Sequence, residues 1–283
     1  MQEPLLRRAC GYLRLLGTTV STAHHELIAQ RWLFTSQIAG PIIKYLKGNK
    51  CIILHKCTTI RHAKSAEKHG VDVLSVDGFE CAGHPGEDDI GGLVLLARAV
   101  KELSVPFIAS GGIADARGIA AALALGAAKG KVSQLVGLRA DVPSSPIHQN
   151  IKDKIVASTE RDTTHIFRTL HNTARVFKNK VAMEVVAIER RPGGAKFEDI
   201  RDLVSGARGR MVYENGDADY GIWSAGIAVG LINDIPTCEQ LLNTLESELR
   251  RLLAATRTGS VEVEALMQSI ILFYGSMHLQ FST

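Results

Sequence analysis

The sequence predicts an α/β fold in which parallel βα units form a helix-covered sheet, followed by a smaller helical domain. Two observations carry this expectation. Residues 51–126 alternate short apolar runs with helical patterns across short loops, in the order βαβαβα. Beyond residue 150 the alternation stops and helical periods dominate.

Residues 51–57 (CIILHKC) are short and apolar, as a buried strand should be. Residues 61–69 read as a helix closed by Gly70. Residues 71–76 are the second strand. They run into the turn GFECAGHPGEDD at residues 78–89, which carries one histidine and four acids. Its glycines and Pro85 break helix and strand alike, and function in α/β proteins concentrates in such loops at strand C-termini. A histidine there can act as a general base, because its unperturbed pKa is about 6.5; the bland reading is a solvated surface turn. Residues 90–103 have a helical pattern, with Asp88 or Asp89 as the expected cap. A third strand is expected at 105–109, the turn Ser110-Gly111-Gly112 follows, and an alanine-rich helix covers 114–125.

Downstream, residues 150–159 and 163–172 read as helices, and 181–188 as helix or strand. Residues 190–194 form a turn, 197–204 a helix, 214–220 a polar loop and 239–255 an amphipathic helix. Upstream, residues 5–16 have the pattern of a basic helix interrupted by Gly11, and 32–39 that of a strand ending at Gly40. Counted generously, four or five strands precede the helical part, whereas a closed (β/α)8 barrel needs about eight. The barrel is expected to be incomplete.

Composition narrows the classes of function. The chain has 283 residues, 46% hydrophobic and 22% charged, as in an ordinary globular protein. A formal charge of +4 without a basic stripe, and 5% aromatics, argue against a nucleic-acid surface. Five cysteines without CxxC spacing argue for reduced thiols and against a disulfide scaffold or zinc site. No apolar run approaches the roughly 18 residues of a membrane span. A cytoplasmic location is expected. The arginines at 7, 8 and 14 leave a mitochondrial transit peptide as the alternative.

The strings His55-Lys56-Cys57-Thr58, Ser75–Asp88 (SVDGFECAGHPGED) and Ala109-Ser110-Gly111-Gly112 resemble the nitronate monooxygenase family, formerly 2-nitropropane dioxygenases. Downstream, RTLHNTARVFK at 168–178, LVSGARGR at 203–210 and GIWSAG at 221–226 look like the family's helical second domain. The resemblance implies FMN-dependent enzymes on a TIM-type barrel. Such enzymes oxidise alkyl nitronates with O2 to a carbonyl compound and nitrite. It implies His84 as catalytic base and Lys56, Asp77, Ala82, Gly83, Gly111 and Gly112 as FMN contacts. The partners implied are a small nitronate or nitroalkane and O2, with neither nucleic acid nor membrane. Read by residue type, glycines between strand and helix let backbone N–H groups approach a phosphate. Lys56 could face the flavin or snorkel to the surface. Asp77 could accept from a ribityl hydroxyl or fix its own loop. Trp223 and Tyr220 could wall a substrate pocket or pack in a core, and Cys57 and Cys81 read as small buried packing.

The chain also departs from the family pattern. The family's early strands have no counterpart in residues 1–50, and the Gly-Thr-Arg expected at the eighth strand is replaced by aberrant sequence at 130–145. The division expected is an atypical segment 1–50, a partial barrel 51–145, a helical domain 146–255 and a divergent tail 256–283. Open strand edges and lost phosphate contacts predict FMN binding weakened by roughly 10³-fold. The alternatives are a truncated, non-catalytic remnant that does not hold FMN, and an interaction protein that self-associates through exposed strand edges.

Overall fold

The computed structural model describes residues 40–49, 51–127 and 147–258. The expectations for residues 5–16, 32–39, 130–145 and most of the tail lie outside the described residues. The described part begins with helix α1 (Gly40–Gly48) and continues as β1 (Leu54–Cys57), α2 (Ile60–Lys68), β2 (Val73–Asp77), α3 (Gly92–Glu102), β3 (Phe107–Ser110) and α4 (Ala116–Ala124). The three strands form one parallel sheet in the order β1-β2-β3. Lys56 lies opposite Ser75, and Asp77 opposite Ser110. These are the parallel βα units of a TIM-type flavoenzyme fold, and no closed barrel is formed among the described residues.

Alternation along the strands gives the sheet two unlike faces. Cys57, Leu74, Val76, Phe107 and Ala109 point toward the helices and share a core with Ala63 and Ala66 of α2 and Leu95 and Ala99 of α3. Leu74 and Leu95 are fully buried, and each such side chain contributes about 1.5–3 kcal/mol through burial. The opposite face becomes polar toward the strand C-termini, where Lys56, Ser75, Asp77 and Ser110 lie.

Helix ends follow local chemistry. Thr59 caps α2 by accepting from the His62 amide, and Asp115 caps α4 by accepting from Gly118. The cap expected from Asp88 or Asp89 is not made. The N-cap of α3 is Gly91, which has no side chain to offer. Both Glu80 oxygens accept from the Gly92 amide instead, at 3.0 and 2.9 Å. The acid that meets the helix N-terminus comes from the far end of the preceding loop.

The second part comprises α5 (Gln149–Val156), β4 (Thr163–Ile166), β5 (Ala174–Phe177), α6 (Lys180–Glu189), α7 (Phe197–Ile200), α8 (Gly206–Asn215) and α9 (Cys238–Thr258). It is mainly helical, but the helix expected at 163–172 is instead the first half of an antiparallel hairpin. Phe167 (φ 64°) and His171 (φ 51°) adopt left-handed conformations around a single 3-10 turn, which no α-helix tolerates. The strand ladder, and Ile166 packed on Ala182, Val185 and Val186 of α6, override the local pattern. The segment 181–188 is resolved as helix, and the helix expected at 197–204 is one turn long. Helix α9 returns to the first part, where Leu241 and Leu245 pack on Ala116 and Ile119 of α4. Among the described residues no helix is long and apolar enough to cross a membrane.

Candidate active site

Parallel strands deliver their following loops to one end of a sheet. Lys56 near the end of β1, the loop from Gly78 to Gly91 after β2, and the Gly111-Gly112 turn after β3 therefore share the C-terminal end. The turns are joined directly, since the Gly78 amide donates to the Ser110 carbonyl at 2.9 Å.

Lys56 and Asp77 form an ion pair, with Nζ 2.9 Å from Oδ2. Asp77 is fully buried, while Lys56 keeps 24% of its side chain exposed. The Ser75 hydroxyl donates to Asp77 Oδ1 at 3.0 Å. The Lys56 ammonium lies within hydrogen-bond distance of Oδ2, so both carboxylate oxygens of Asp77 have a partner. Burial works against the ammonium, but the carboxylate beside it, followed by Cys81 and Cys57, raises the Lys56 pKa above its usual value.

Gly111 (φ 82°) and Gly112 (φ 77°) are both left-handed. A Cβ on Gly111 would lie 2.9 Å from the Cys81 Cβ and from the Gly78 carbonyl; one on Gly112 would lie 2.9 Å from the Glu80 Cβ. These glycines are thus required by the close approach of the preceding loop.

His84 is exposed on its loop and its Nδ1 lies 3.0 Å from the Thr173 carbonyl oxygen. A carbonyl only accepts, so Nδ1 carries a proton, and in the neutral ring Nε2 is then the nitrogen with the lone pair. Two further ties hold the loop to the hairpin. Gly83 and Arg175 are paired as an antiparallel bridge. Glu87 accepts from the Thr173 amide at 2.7 Å and from its hydroxyl at 2.6 Å. Phe79 lies between Arg175 (4.8 Å), Arg168 (5.6 Å) and the His165 ring (4.8 Å). The Arg175 Nη2 donates to the Phe79 carbonyl at 3.0 Å.

The sequence-selected residues therefore divide. Lys56 and Asp77 meet, and Gly111 and Gly112 pack against the loop that begins at Gly78. His84 and Gly83 lean toward the hairpin, and both backbone groups of Gly83 are taken by Arg175. Ala82 lies between the two groups. Its amide nitrogen, like the Glu80 carbonyl, packs closely against Gly226. Trp223 is 3% exposed and stacks on Phe177 at 4.2 Å, so it belongs to the core rather than to a pocket wall. Tyr220 is on the surface beneath Arg208. Residues missed in the sequence are Glu80, Glu87, Thr173 and Arg175. The acids stood in the motif, but the Thr173 partner of Glu87 is visible only once the hairpin is formed, and the Gly92 partner of Glu80 only once the loop folds back onto α3.

The sequence pattern described as nitronate monooxygenase matches residues 34–248. This chain belongs to the nitronate monooxygenase family. A probable nitronate monooxygenase of Bacillus subtilis is 29% identical over 213 residues, covering 73% of this chain and 60% of the relative. A nitronate monooxygenase of Paraburkholderia phytofirmans is 30% identical over 220 residues, covering 75% and 58%. The chain thus spans about three fifths of the length of these relatives. Among solved structures, FabK from Thermotoga maritima superposes with a TM-score of 0.69 at 27% identity, covering 80% of this chain and 70% of that one. The nitroalkane oxidase from Streptomyces ansochromogenes superposes at 0.61 with 25% identity, covering 76% and 62%.

Proposed function

We propose that the chain is an FMN-dependent oxidoreductase that converts alkyl nitronates, with O2 as oxidant, to a carbonyl compound and nitrite. The observation that carries this reading is the His84 imidazole. Its Nδ1 is committed to Thr173, and its Nε2 is left as a base on an exposed loop beside the strand ends. Neutral nitroalkanes carry a weakly acidic α-proton, and Nε2 is the group to remove it. Preformed nitronates have already lost that proton and bypass this role.

The residues present suit a flavin in one specific respect. Asp77 is fully buried at the strand ends, and its Oδ2, held 2.9 Å from Lys56 Nζ, keeps a further lone pair that can accept from a ribityl hydroxyl. Lys56 would place positive charge near the isoalloxazine, and Ala82, Gly83, Gly111 and Gly112 would line the cofactor's approach. FMN would supply the redox chemistry. The protein's own tasks are to hold the anionic substrate near Lys56 and to move one proton at Nε2. The proposed substrates are small molecules, and the proposed compartment is the cytoplasm.

The test is a titration of FMN into the purified chain while flavin fluorescence is followed, paired with nitrite assays on ethylnitronate. Saturable quenching and flavin-dependent nitrite release are expected. Neither signal at FMN well above micromolar concentration would sink the proposal.

A further inference from the structure

We infer that Glu87 is a positioning residue: its two-point grip on Thr173 holds His84 in the tautomer that presents a basic Nε2. Thr173 is clamped from both sides by one short stretch of the loop. Its amide and hydroxyl donate to Glu87, and its carbonyl accepts from His84 Nδ1. Thr173 is 1% exposed, so its amide, hydroxyl and carbonyl are shielded from solvent, while Glu87 and His84 reach it from the exposed loop. Buried Pro85 lies between the two side chains and limits their separation along the loop. A neutral histidine side chain in water prefers the proton on Nε2. The Thr173 carbonyl inverts that preference only while it stays in register with His84, and the carboxylate of Glu87 sets that register. The sites of proton abstraction and of anchoring are thus different atoms of one small ring of contacts.

The kinetic part of this inference rests on the reading of His84 as a base; the structural part does not. The experiment is therefore double. Protein labelled with 15N at histidine reports the His84 tautomer through the separate shifts of its two ring nitrogens. The wild type is expected to show Nδ1–H. Glu87→Ala is expected to move the signal toward Nε2–H. Glu87→Gln, which can still accept from the amide and donate to the hydroxyl, is expected to restore Nδ1–H. With neutral nitroalkane, Glu87→Ala should lose about tenfold in kcat with little change in KM, a part of the roughly 10²–10⁴-fold that general-base removal costs. With preformed nitronate it should match the wild type. An unchanged Nδ1–H signal in folded Glu87→Ala overturns the inference. Should that variant fail to fold, Thr173→Val removes the hydroxyl bond alone; an unchanged tautomer there overturns it equally. A shifted tautomer in a protein whose wild type ignores nitroalkanes would uphold the positioning role and reject the proposed activity.

Discussion

Gly83 and Arg175 exchange both backbone hydrogen bonds, Gly83 N to Arg175 O at 3.1 Å and Arg175 N to Gly83 O at 2.6 Å. The loop that follows β2 is thereby extended as a short strand against β5 of the hairpin. The buried Arg175 side chain reaches back over Phe79 of the same loop. His84 is consequently presented by two elements far apart in sequence, one for its main chain and one for its ring.

Replacing His84 with asparagine removes the Nε2 base while leaving an amide that can donate to the Thr173 carbonyl. Turnover of neutral nitroalkanes should fall by about 10²–10⁴. The loss should shrink with preformed nitronates. Steady-state assays on both forms of one substrate decide the matter, and equal activity of wild type and variant on the neutral form would eliminate His84 as base.

Gly112→Ala should destabilise the fold even without ligand. The added Cβ would lie 2.9 Å from the Glu80 Cβ, on a backbone with φ of 77°. Left-handed strain and overpacking together cost about 1–3 kcal/mol. Urea unfolding of the ligand-free chain measures this directly. An unchanged midpoint would mean that the turn does not touch the loop as described.

Burial, then the neighbouring Arg175 and Arg168 charges, push the His165 imidazole down to about 4. In the unfolded chain the same group titrates near 6.5. Between about pH 6.5 and 4 the unfolded state binds a proton that the folded state refuses, so stability falls as pH drops through this window. Buried His55 is shifted in the same direction, chiefly by desolvation, and adds to the trend. Urea midpoints measured at several pH values should decline toward acid, less steeply in His165→Phe. A variant with the wild-type slope would contradict this account.

Cys57 and Cys81 are expected to stay unreactive in the native protein. Desolvation pushes their thiols up to about 12 and about 11, so the nucleophilic thiolate is scarce near neutrality. Iodoacetamide at pH 8, followed by peptide mass analysis, should leave both unmodified until urea is added. Rapid native labelling of Cys81 would show that the loop opens.

The βα units were legible because their signals are local. Apolar strands and the glycine turns each declare themselves within a few residues. The contents of the His84 loop were legible as well, down to the acids. The hairpin was not. Thr163–Ile166 becomes a strand through its pairing with Ala174–Phe177 and its packing on α6, a tertiary cause that a helical-looking window conceals. The role of Glu87 depended on that same non-local pairing, and that of Glu80 on the loop folding back onto the start of α3. The expected cap from Asp88 or Asp89 failed because Glu80 holds the Gly92 amide from across the loop.

That carboxylate gives the loop a fixed mouth. With Glu80 bound to Gly92, the intervening residues are a closed excursion whose two ends cannot drift apart, whatever happens between them. Closing a longer excursion costs little, about 0.6 kcal/mol for each doubling of length. Residues inserted between Asp88 and Asp89, ahead of the Asp89–Arg168 ion pair and of the Ile90 carbonyl that accepts from Phe79, would bulge into solvent and leave β2 and α3 in place. An insertion between Gly83 and Glu87 would meet a different fate, because both of those residues are fastened to the start of β5. The loop is elastic on one flank and inextensible on the other, and His84 stands on the inextensible flank.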